Sequence, residues 1–126
     1  MYSENEIAKQ VVNICFRLHK KYGPGLFESV YEELIAYELH KTELTFERQH
    51  AIPLIHEKIK LEIGFRVDFI VDGKLIVELK SIEVLAPIHY RQLQTYLKLT
   101  NLRLGLLVNF NVHLIKDGIH RIVNNL

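Results

Sequence analysis

Apolar residues recur at helical spacing in the first 40 positions of the chain. Ser3 followed by Glu6 is a capping-box signature for the start of a first helix, and the Gly-Pro-Gly after Tyr22 is expected to end it. A second helix is predicted from about residue 27 to residue 40. Its expected core-facing side chains are Val30, Leu34 and Tyr37.

From Thr45 the hydrophobic pattern changes to a period of two, which is typical of strands with one buried face. Strands are predicted at residues 46–55, 61–71, 75–81 and 102–110. A third helix is predicted at residues 87–99, because a proline there suits a first helical turn. Pro53 cannot donate a backbone hydrogen bond, so the first strand is expected to lie at an edge or to be interrupted. Residues 112–123 are interpreted as a closing hairpin.

This order of elements predicts an α/β fold in which helices flank a central mixed sheet. The length of 126 residues fits a single domain over residues 1–126. Hydrophobic residues make up 48% of the chain and charged residues 25%, which are ordinary values for a globular domain with a hydrophobic core.

Several sequence features indicate the cellular compartment. No apolar run reaches the roughly 18 residues of a membrane span, so no membrane partner is expected. The N-terminal residues are polar and acidic, unlike a secretory signal. The single cysteine, Cys15, excludes an internal disulfide framework and a multi-cysteine zinc site, and its spacing indicates a core position. The expected compartment is the cytoplasm.

Net charge contributes little to the functional interpretation. A value of +1 and a pI near 7.9 differ from the strongly basic character of many nucleic-acid-binding domains. If the partner is a nucleic acid, the cationic side chains must therefore be concentrated on one face.

The most informative segment is residues 65–80, FRVDFIVDGKLIVELK. Its odd-numbered positions are apolar in both arms, whereas the even-numbered positions include Arg66, Asp68, Glu78 and Lys80. Successive side chains of a strand point to opposite faces. The two arms are therefore expected to bury the odd positions and to place Asp68, Glu78 and Lys80 together on the other face.

This parity restricts the turn between the arms. A two-residue Asp72-Gly73 loop would pair odd with even positions and send one apolar set to the wrong face. We therefore predict a three-residue loop at residues 71–73, with Gly73 in a left-handed conformation.

Two carboxylates and an amine on one face indicate metal-assisted phosphodiester chemistry. Mg²⁺ is commonly held by one or two carboxylates together with waters. A metal held in this way polarises a phosphoryl oxygen and lowers the pKa of a bound water, while Lys80 could orient that water or offset charge at phosphorus. The alternative is a surface salt bridge, because Lys80 or Arg66 could simply neutralise the two acids.

Further motifs narrow this interpretation. The chain contains Gly25-x-x-Glu28-x-x-Tyr31, followed in order by RQ, VDFIVDG, VELKS, PIHYRQLQTYL and LRLGLLVNFN. Over roughly residues 7–126 it resembles the small GxxExxY proteins, a family placed in the PD-(D/E)XK nuclease superfamily. The resemblance implies a restriction-endonuclease-like core.

The resemblance also implies roles for particular residues. Glu28 matches the acidic residue that the first core helix contributes to the metal, and Asp68 matches the central aspartate, although Val67 stands where proline is common. Glu78 and Lys80 match the (D/E)-x-K pair. The implied metal ligands are Glu28, Asp68, Glu78 and the carbonyl of Leu79, and the implied catalytic residues are Asp68, Glu78, Lys80 and Gln92.

Some candidates have structural alternatives. Gln92 and Tyr96 match the Q-x-x-x-Y element of RecB-type nucleases and, four residues apart, share a helix face with His89. His89 and Tyr96 are candidate substrate contacts, or ordinary solvated helix positions. Arg48 could bind a phosphate of the substrate or form a salt bridge with a neighbouring acid.

The sequence therefore predicts a Mg²⁺- or Mn²⁺-dependent nuclease, with DNA as the favoured substrate. The alternative is a catalytically silent module that binds nucleic acid or a protein partner and retains the nuclease fold. A homodimer is a further hypothesis, because one small domain covers little duplex, but no sequence feature supports it.

Overall fold

Three helices lie on the two faces of a five-stranded sheet. The computed structural model describes residues 1–126, except for the side chain of residue 63. The elements in chain order are α1 (Glu4–Tyr22), α2 (Glu28–His40), β1 (Phe46–His56), β2 (Ile59–Val71), β3 (Leu75–Lys80), α3 (Pro87–Thr100), β4 (Leu104–Asn109) and β5 (Ile119–Val123), with a short 3₁₀ helix at Ile115–Asp117. Among the described residues, none of the helices combines the length and apolarity needed to cross a membrane.

The sheet is mixed, as predicted. Its strand order is β1-β2-β3-β4-β5, with β3 and β4 parallel and the other neighbours antiparallel. The parallel pair is connected through α3, as a crossover of this kind requires. β1 lies at an edge, and its register with β2 shifts between Ile52 and Leu54, where Pro53 cannot contribute a donor. Both alternatives foreseen for Pro53 are therefore present.

Two hydrophobic clusters lie on opposite faces of the sheet. The larger cluster joins α1 and α2 to odd-numbered residues of β2 and β3, and Cys15 is buried within it. The smaller cluster joins α3 to the other face through Leu93 and Leu97, which pack with Ile70 and Ile76. The even-numbered residues of the hairpin are thus apolar near the turn and polar at the far end. Phe65 and Val67, although odd-numbered, pack with the smaller cluster, so the expectation that all odd positions share one buried face is wrong at the start of the hairpin.

Helix α1 follows the sequence prediction, whereas the orientation predicted for α2 is wrong. Ser3 and Glu6 form the predicted capping box, and Gly23 follows the last turn. In α2 the fully buried positions are Tyr31, Ile35, Ala36 and Leu39. Val30 is 38% exposed and Tyr37 is 63% exposed, while Leu34 packs partly against the larger cluster. Apolar residues occupy more than one face of this helix, and packing against α1 and the sheet decides which face is buried.

The turn between β2 and β3 has the predicted odd length but begins one residue later. Val71 pairs with Leu75, so the loop is Asp72-Gly73-Lys74, and Lys74 N donates to Val71 O at 3.0 Å. Gly73 is left-handed with φ 63°, as predicted, and Asp72 is left-handed as well with φ 52°. Asp72 is held there because its Oδ1 accepts from Thr45 N at 2.8 Å.

The hairpin predicted at residues 112–123 is absent from the described structure. The segment instead contains the 3₁₀ helix Ile115–Asp117 and the strand β5, which pairs with β4. Glycine at position 118 allows the chain to pass close to the end of β4 before β5, because a Cβ at that position would lie 2.1 Å from the carbonyl oxygen of Asn109. The pairing partner of β5 is therefore the preceding buried strand.

Candidate active site

Asp68 and Glu78 directly adjoin the last paired residues of the β2–β3 hairpin, Phe69 and Val77, one on each arm. Each carboxylate accepts a backbone hydrogen bond from the other arm. Asp68 N donates to Glu78 Oε1 at 2.9 Å, and Leu79 N donates to Asp68 Oδ2 at 2.7 Å. These bonds lie just beyond the last paired residues of the two strands, so side-chain oxygens replace carbonyl acceptors there.

Burial makes this carboxylate pair electrostatically unfavourable when both groups are ionised. Loss of solvent, together with the charge of Asp68, raises the pKa of Glu78 to about 8. Desolvation also raises the pKa of Asp68, although the hydrogen bonds from Leu79 and Gln49 oppose this effect. A cation placed between the two groups would relieve both penalties.

Glu28 and Lys80 complete the charged cluster. Glu28 is the first residue of α2, and its pKa is raised by partial desolvation of its carboxylate and by the charge of Asp68. The charge of Lys80, the last residue of β3, acts to lower the pKa of Glu28, Asp68 and Glu78. The carboxylates of Glu28, Asp68 and Glu78 and the amine of Lys80 are thus close enough to influence one another, with Glu28 supplied by the start of α2.

A buried tyrosine positions Glu28. The Tyr31 hydroxyl donates to Gly23 O at 2.5 Å and accepts from Leu26 N at 3.3 Å, and its ring stacks on Phe110 with a centroid distance of 4.1 Å. The same loop is tied to the end of β3, because Ser81 Oγ donates to Leu26 O at 2.8 Å. Tyr31 of the Gly25-x-x-Glu28-x-x-Tyr31 motif is therefore a core residue that fixes the entry to α2.

Gln49 links the site to the edge strand β1. Its side-chain Nε2 donates to Asp68 Oδ1 at 2.9 Å and to Glu32 Oε1 at 2.5 Å. Gln49 has a φ of 48°, a left-handed conformation that non-glycine residues seldom adopt and that often accompanies functional sites. The RQ motif marked this position, but the local pattern contained no signal for its contact with Asp68.

Arg48 forms the salt bridge that was one of its two predicted roles. Its Nη2 lies 2.7 Å from Glu32 Oε2 and 2.6 Å from Glu33 Oε1. The guanidinium group therefore fastens β1 to α2 and offsets the two acids nearest to the Gln49 bridge.

Helix α3 contributes Tyr96 to the surroundings of the site. The pKa of Tyr96 is raised by desolvation and then by the charges of Glu78 and Asp68. Gln92 is exposed one turn earlier on the same helix. His89 accepts a hydrogen bond from Ala86 N at its Nδ1, at 2.9 Å, so this ring nitrogen caps the start of α3.

The loop that follows Lys80 is held by a buried asparagine that the sequence pattern did not predict as a site residue. Asn109 is 3% exposed, and its side chain exchanges two hydrogen bonds with the backbone of Ile82, at 3.1 and 2.9 Å. Phe110 N donates to Lys80 O at 2.9 Å. The strand end that carries Lys80 is therefore anchored to β4 and the residue that follows it.

The available donors suit a hard divalent cation. Carboxylate oxygens and a backbone carbonyl are the ligands that Mg²⁺ prefers, with waters filling the remaining positions. Among the described side chains, no group of three or more His, Cys, Asp or Glu residues is arranged as a ready metal cage.

Comparison with known proteins identifies one family. A sequence model described as the PD-(D/E)XK nuclease superfamily matches residues 5–122 of the chain. No curated protein and no solved structure matches the chain significantly.

Proposed function

The chain belongs to the PD-(D/E)XK nuclease superfamily, and we propose that it is a divalent-metal-dependent nuclease that hydrolyses phosphodiester bonds in DNA. The observation that carries the proposal is the pair of carboxylates, Asp68 and Glu78, fixed by opposite backbone donors beside Lys80. Burial and mutual repulsion of the two acids disfavour the metal-free ionised site, so the arrangement suits a bound cation. Residues 1–126 would form one nuclease domain with the restriction-endonuclease-like α/β fold.

Asp68 and Glu78 would hold Mg²⁺ or Mn²⁺, with the carbonyl of Leu79 as an additional ligand. Their backbone hydrogen bonds orient the carboxylates before a metal or substrate arrives, which reduces the reorganisation that binding requires. Glu28, the first residue of α2, would supply a further carboxylate to the metal, because the charges of Asp68 and Lys80 act on its pKa. Mg²⁺ retains several waters, which would fill the remaining positions.

When bound, the metal would polarise the scissile phosphoryl group and lower the pKa of a water. Lys80 would orient that water by hydrogen bonding and offset the negative charge that develops on the phosphoryl oxygens. The water oxygen forms a bond to phosphorus while the phosphorus–oxygen bond to the leaving group breaks. The leaving oxygen takes up a proton, so the products are a phosphate monoester and a free hydroxyl group. Gln92 would support the site from the exposed face of α3.

The test is cleavage of single-stranded DNA, duplex DNA and RNA by the purified chain with Mg²⁺ or Mn²⁺. We expect cleavage by the wild type, and a loss of at least 100-fold in Glu78→Gln and Lys80→Ala. Lys98→Ala removes an exposed lysine of α3 as a matched control and should retain activity. Isothermal titration calorimetry of the same proteins separates loss of metal binding from loss of turnover.

The alternative is a binding module that retains the fold without turnover. It would be supported if the wild type cleaved no substrate and bound no metal, yet bound nucleic acid or another protein. Cleavage that is equally fast in Glu78→Gln would instead indicate a contaminating nuclease and would count against the proposed site.

A further inference from the structure

A cavity of about 480 Å³ opens beside the carboxylate cluster. Its lining residues are Ala51, Glu62, Gly64, Phe65, Arg66 and Tyr96. Small-molecule sites commonly enclose about 300–1,000 Å³, so this volume is sufficient for one nucleotide. The cavity lies between the β1–β2 ribbon and helix α3, outside the set of residues assigned to the metal.

Two observations connect this cavity to the candidate active site. Tyr96 lines the cavity and also lies within electrostatic range of Glu78 and Asp68. Arg66 Nη1 donates to Gln49 O at 3.1 Å, and the side chain of Gln49 in turn binds Asp68. A ligand in the cavity would therefore lie next to any phosphodiester group held at the carboxylates.

The lining combines aromatic rings with a cation. The rings of Phe65 and Tyr96 meet edge to face, with centroids 5.6 Å apart and planes inclined by 62°. Arg66 is exposed, and its guanidinium group donates to the backbone carbonyl of Gln49. Because a carbonyl carries no net charge, this contact does not neutralise the guanidinium group. Aromatic faces stack on nucleobases whatever their sequence, and arginine binds phosphate through a planar set of donors.

We propose that this cavity binds one unpaired nucleotide of the substrate, with its base against Phe65 and Tyr96 and an adjacent phosphate on Arg66. The inference rests on the proposed function and specifies its substrate as a nucleic acid with at least one unstacked base. A base within a continuous duplex is stacked on both sides and could enter only after being flipped out. Single strands, ends and frayed junctions would therefore be the preferred substrates.

Glu62, an acid among the described lining residues, is compatible with this assignment. Glu62 is exposed and lies 3.6 Å from Lys60, so its charge is partly offset at the rim of the cavity. Its carboxylate would accept a hydrogen bond from a base amino group, whereas it would repel a phosphate placed beside it. The phosphate is accordingly assigned to the end of the cavity that carries Arg66.

The test measures binding with the substrate kept intact. Fluorescence anisotropy of the Lys80→Ala protein is recorded with labelled ten-nucleotide single strands of DNA and of RNA, and with a blunt duplex. An abasic spacer is then moved through every position of the strand. We expect single strands to bind more tightly than the duplex, and one spacer position to weaken binding about tenfold, the effect of losing one base–aromatic stack. Comparing the DNA strand with the RNA strand shows which of the two nucleic acids supplies the bound nucleotide.

Variants assign that effect to the cavity. Phe65→Leu retains apolar volume for the small hydrophobic cluster, so the protein should fold while the spacer effect disappears. Tyr37→Leu is the matched control, because Tyr37 is an exposed aromatic beside Lys41, on α2. It should leave the spacer effect unchanged. Arg66→Gln should weaken all strands severalfold, with or without the spacer.

The outcomes separate this inference from the proposed function. If the wild type cleaves nucleic acid but no spacer position matters, or if the spacer effect persists in Phe65→Leu, the nucleotide cavity is refuted and the nuclease proposal stands. If the spacer effect is present and depends on Phe65 but no metal-dependent cleavage occurs, the cavity is supported and the nuclease proposal fails.

Discussion

The side-chain nitrogen of Gln49 lies 2.9 Å from Asp68 Oδ1 and 2.5 Å from Glu32 Oε1, so a residue of the edge strand holds a carboxylate of the candidate active site. Its left-handed backbone places the amide between these two acids. Residues that orient metal ligands in this way contribute strongly to metal affinity.

Gln49→Ala should therefore weaken metal binding, because the carboxylate of Asp68 loses its positioning donor. We expect the dissociation constant for Mn²⁺, measured by isothermal titration calorimetry, to rise roughly 10–100-fold. Gln94→Ala is the control, since Gln94 is a glutamine of α3 that binds Val123 O. Unchanged Mn²⁺ affinity in Gln49→Ala would show that the bridge to Asp68 is dispensable.

Gln49→Gly separates the roles of the side chain and of the backbone. It removes the same amide but tolerates the φ of 48°, so it should be more stable than Gln49→Ala by about 1 kcal/mol. Urea denaturation measures this difference. Both variants should share the loss of metal affinity, and a normal affinity in Gln49→Gly would contradict the assignment.

Because of Glu78, the metal-free protein should lose stability progressively as the pH rises from about 4.5 to about 8. The folded state raises the pKa of this group from 4.5 to about 8, so folding is favoured while the carboxyl group carries its proton. That contribution is complete below the unfolded pKa and is lost as the pH passes the folded value.

Glu78→Gln removes this titration. In EDTA, the free energy of unfolding of the wild type should fall by roughly 2 kcal/mol more than that of Glu78→Gln between pH 6 and pH 9. Urea denaturation at both pH values tests this. Parallel pH dependence in the two proteins would mean that burial does not perturb Glu78.

Divalent metal should stabilise the folded chain. A ligand at about 100 times its dissociation constant stabilises a protein by about 2.7 kcal/mol when it binds only the folded state. We expect Mn²⁺ to raise the melting temperature of the wild type measured by calorimetry. Potassium chloride at matched ionic strength is the control for screening, and Glu78→Gln should respond to Mn²⁺ no more than to that salt.

Gly118→Ala should destabilise the fold severely, by roughly 3 kcal/mol or more. The new Cβ would lie 2.1 Å from the carbonyl oxygen of Asn109, so the backbone between β4 and β5 would have to move. Gly105→Ala is a milder comparison, because its Cβ would meet the flexible Leu93 side chain at 2.9 Å. Urea denaturation should rank Gly118→Ala well below Gly105→Ala.

The alternation of residues 65–80 predicted the odd-length turn and the shared face of Asp68, Glu78 and Lys80 without a structural template. The turn length is confirmed, because a shift of one residue near the turn would expose the apolar residues that pack on α1 and α2. The single buried face predicted for the odd positions is wrong at Phe65 and Val67, which pack with the cluster beneath α3. The turn itself begins one residue later than predicted, because Asp72 is fixed by Thr45, 27 positions away in the chain. Such a contact leaves no periodic signal.

The chain pattern therefore predicted the three helices and the strands β1 to β4, since these depend on side-chain period and on neighbours in sequence. Tertiary structure decided which face of α2 is buried, that β5 pairs with β4, and that Gln49 reaches Asp68. Each of these depends on segments distant in sequence meeting in space. Packing then selects one of several locally acceptable arrangements, because only one buries the apolar surface while satisfying the polar groups beside it.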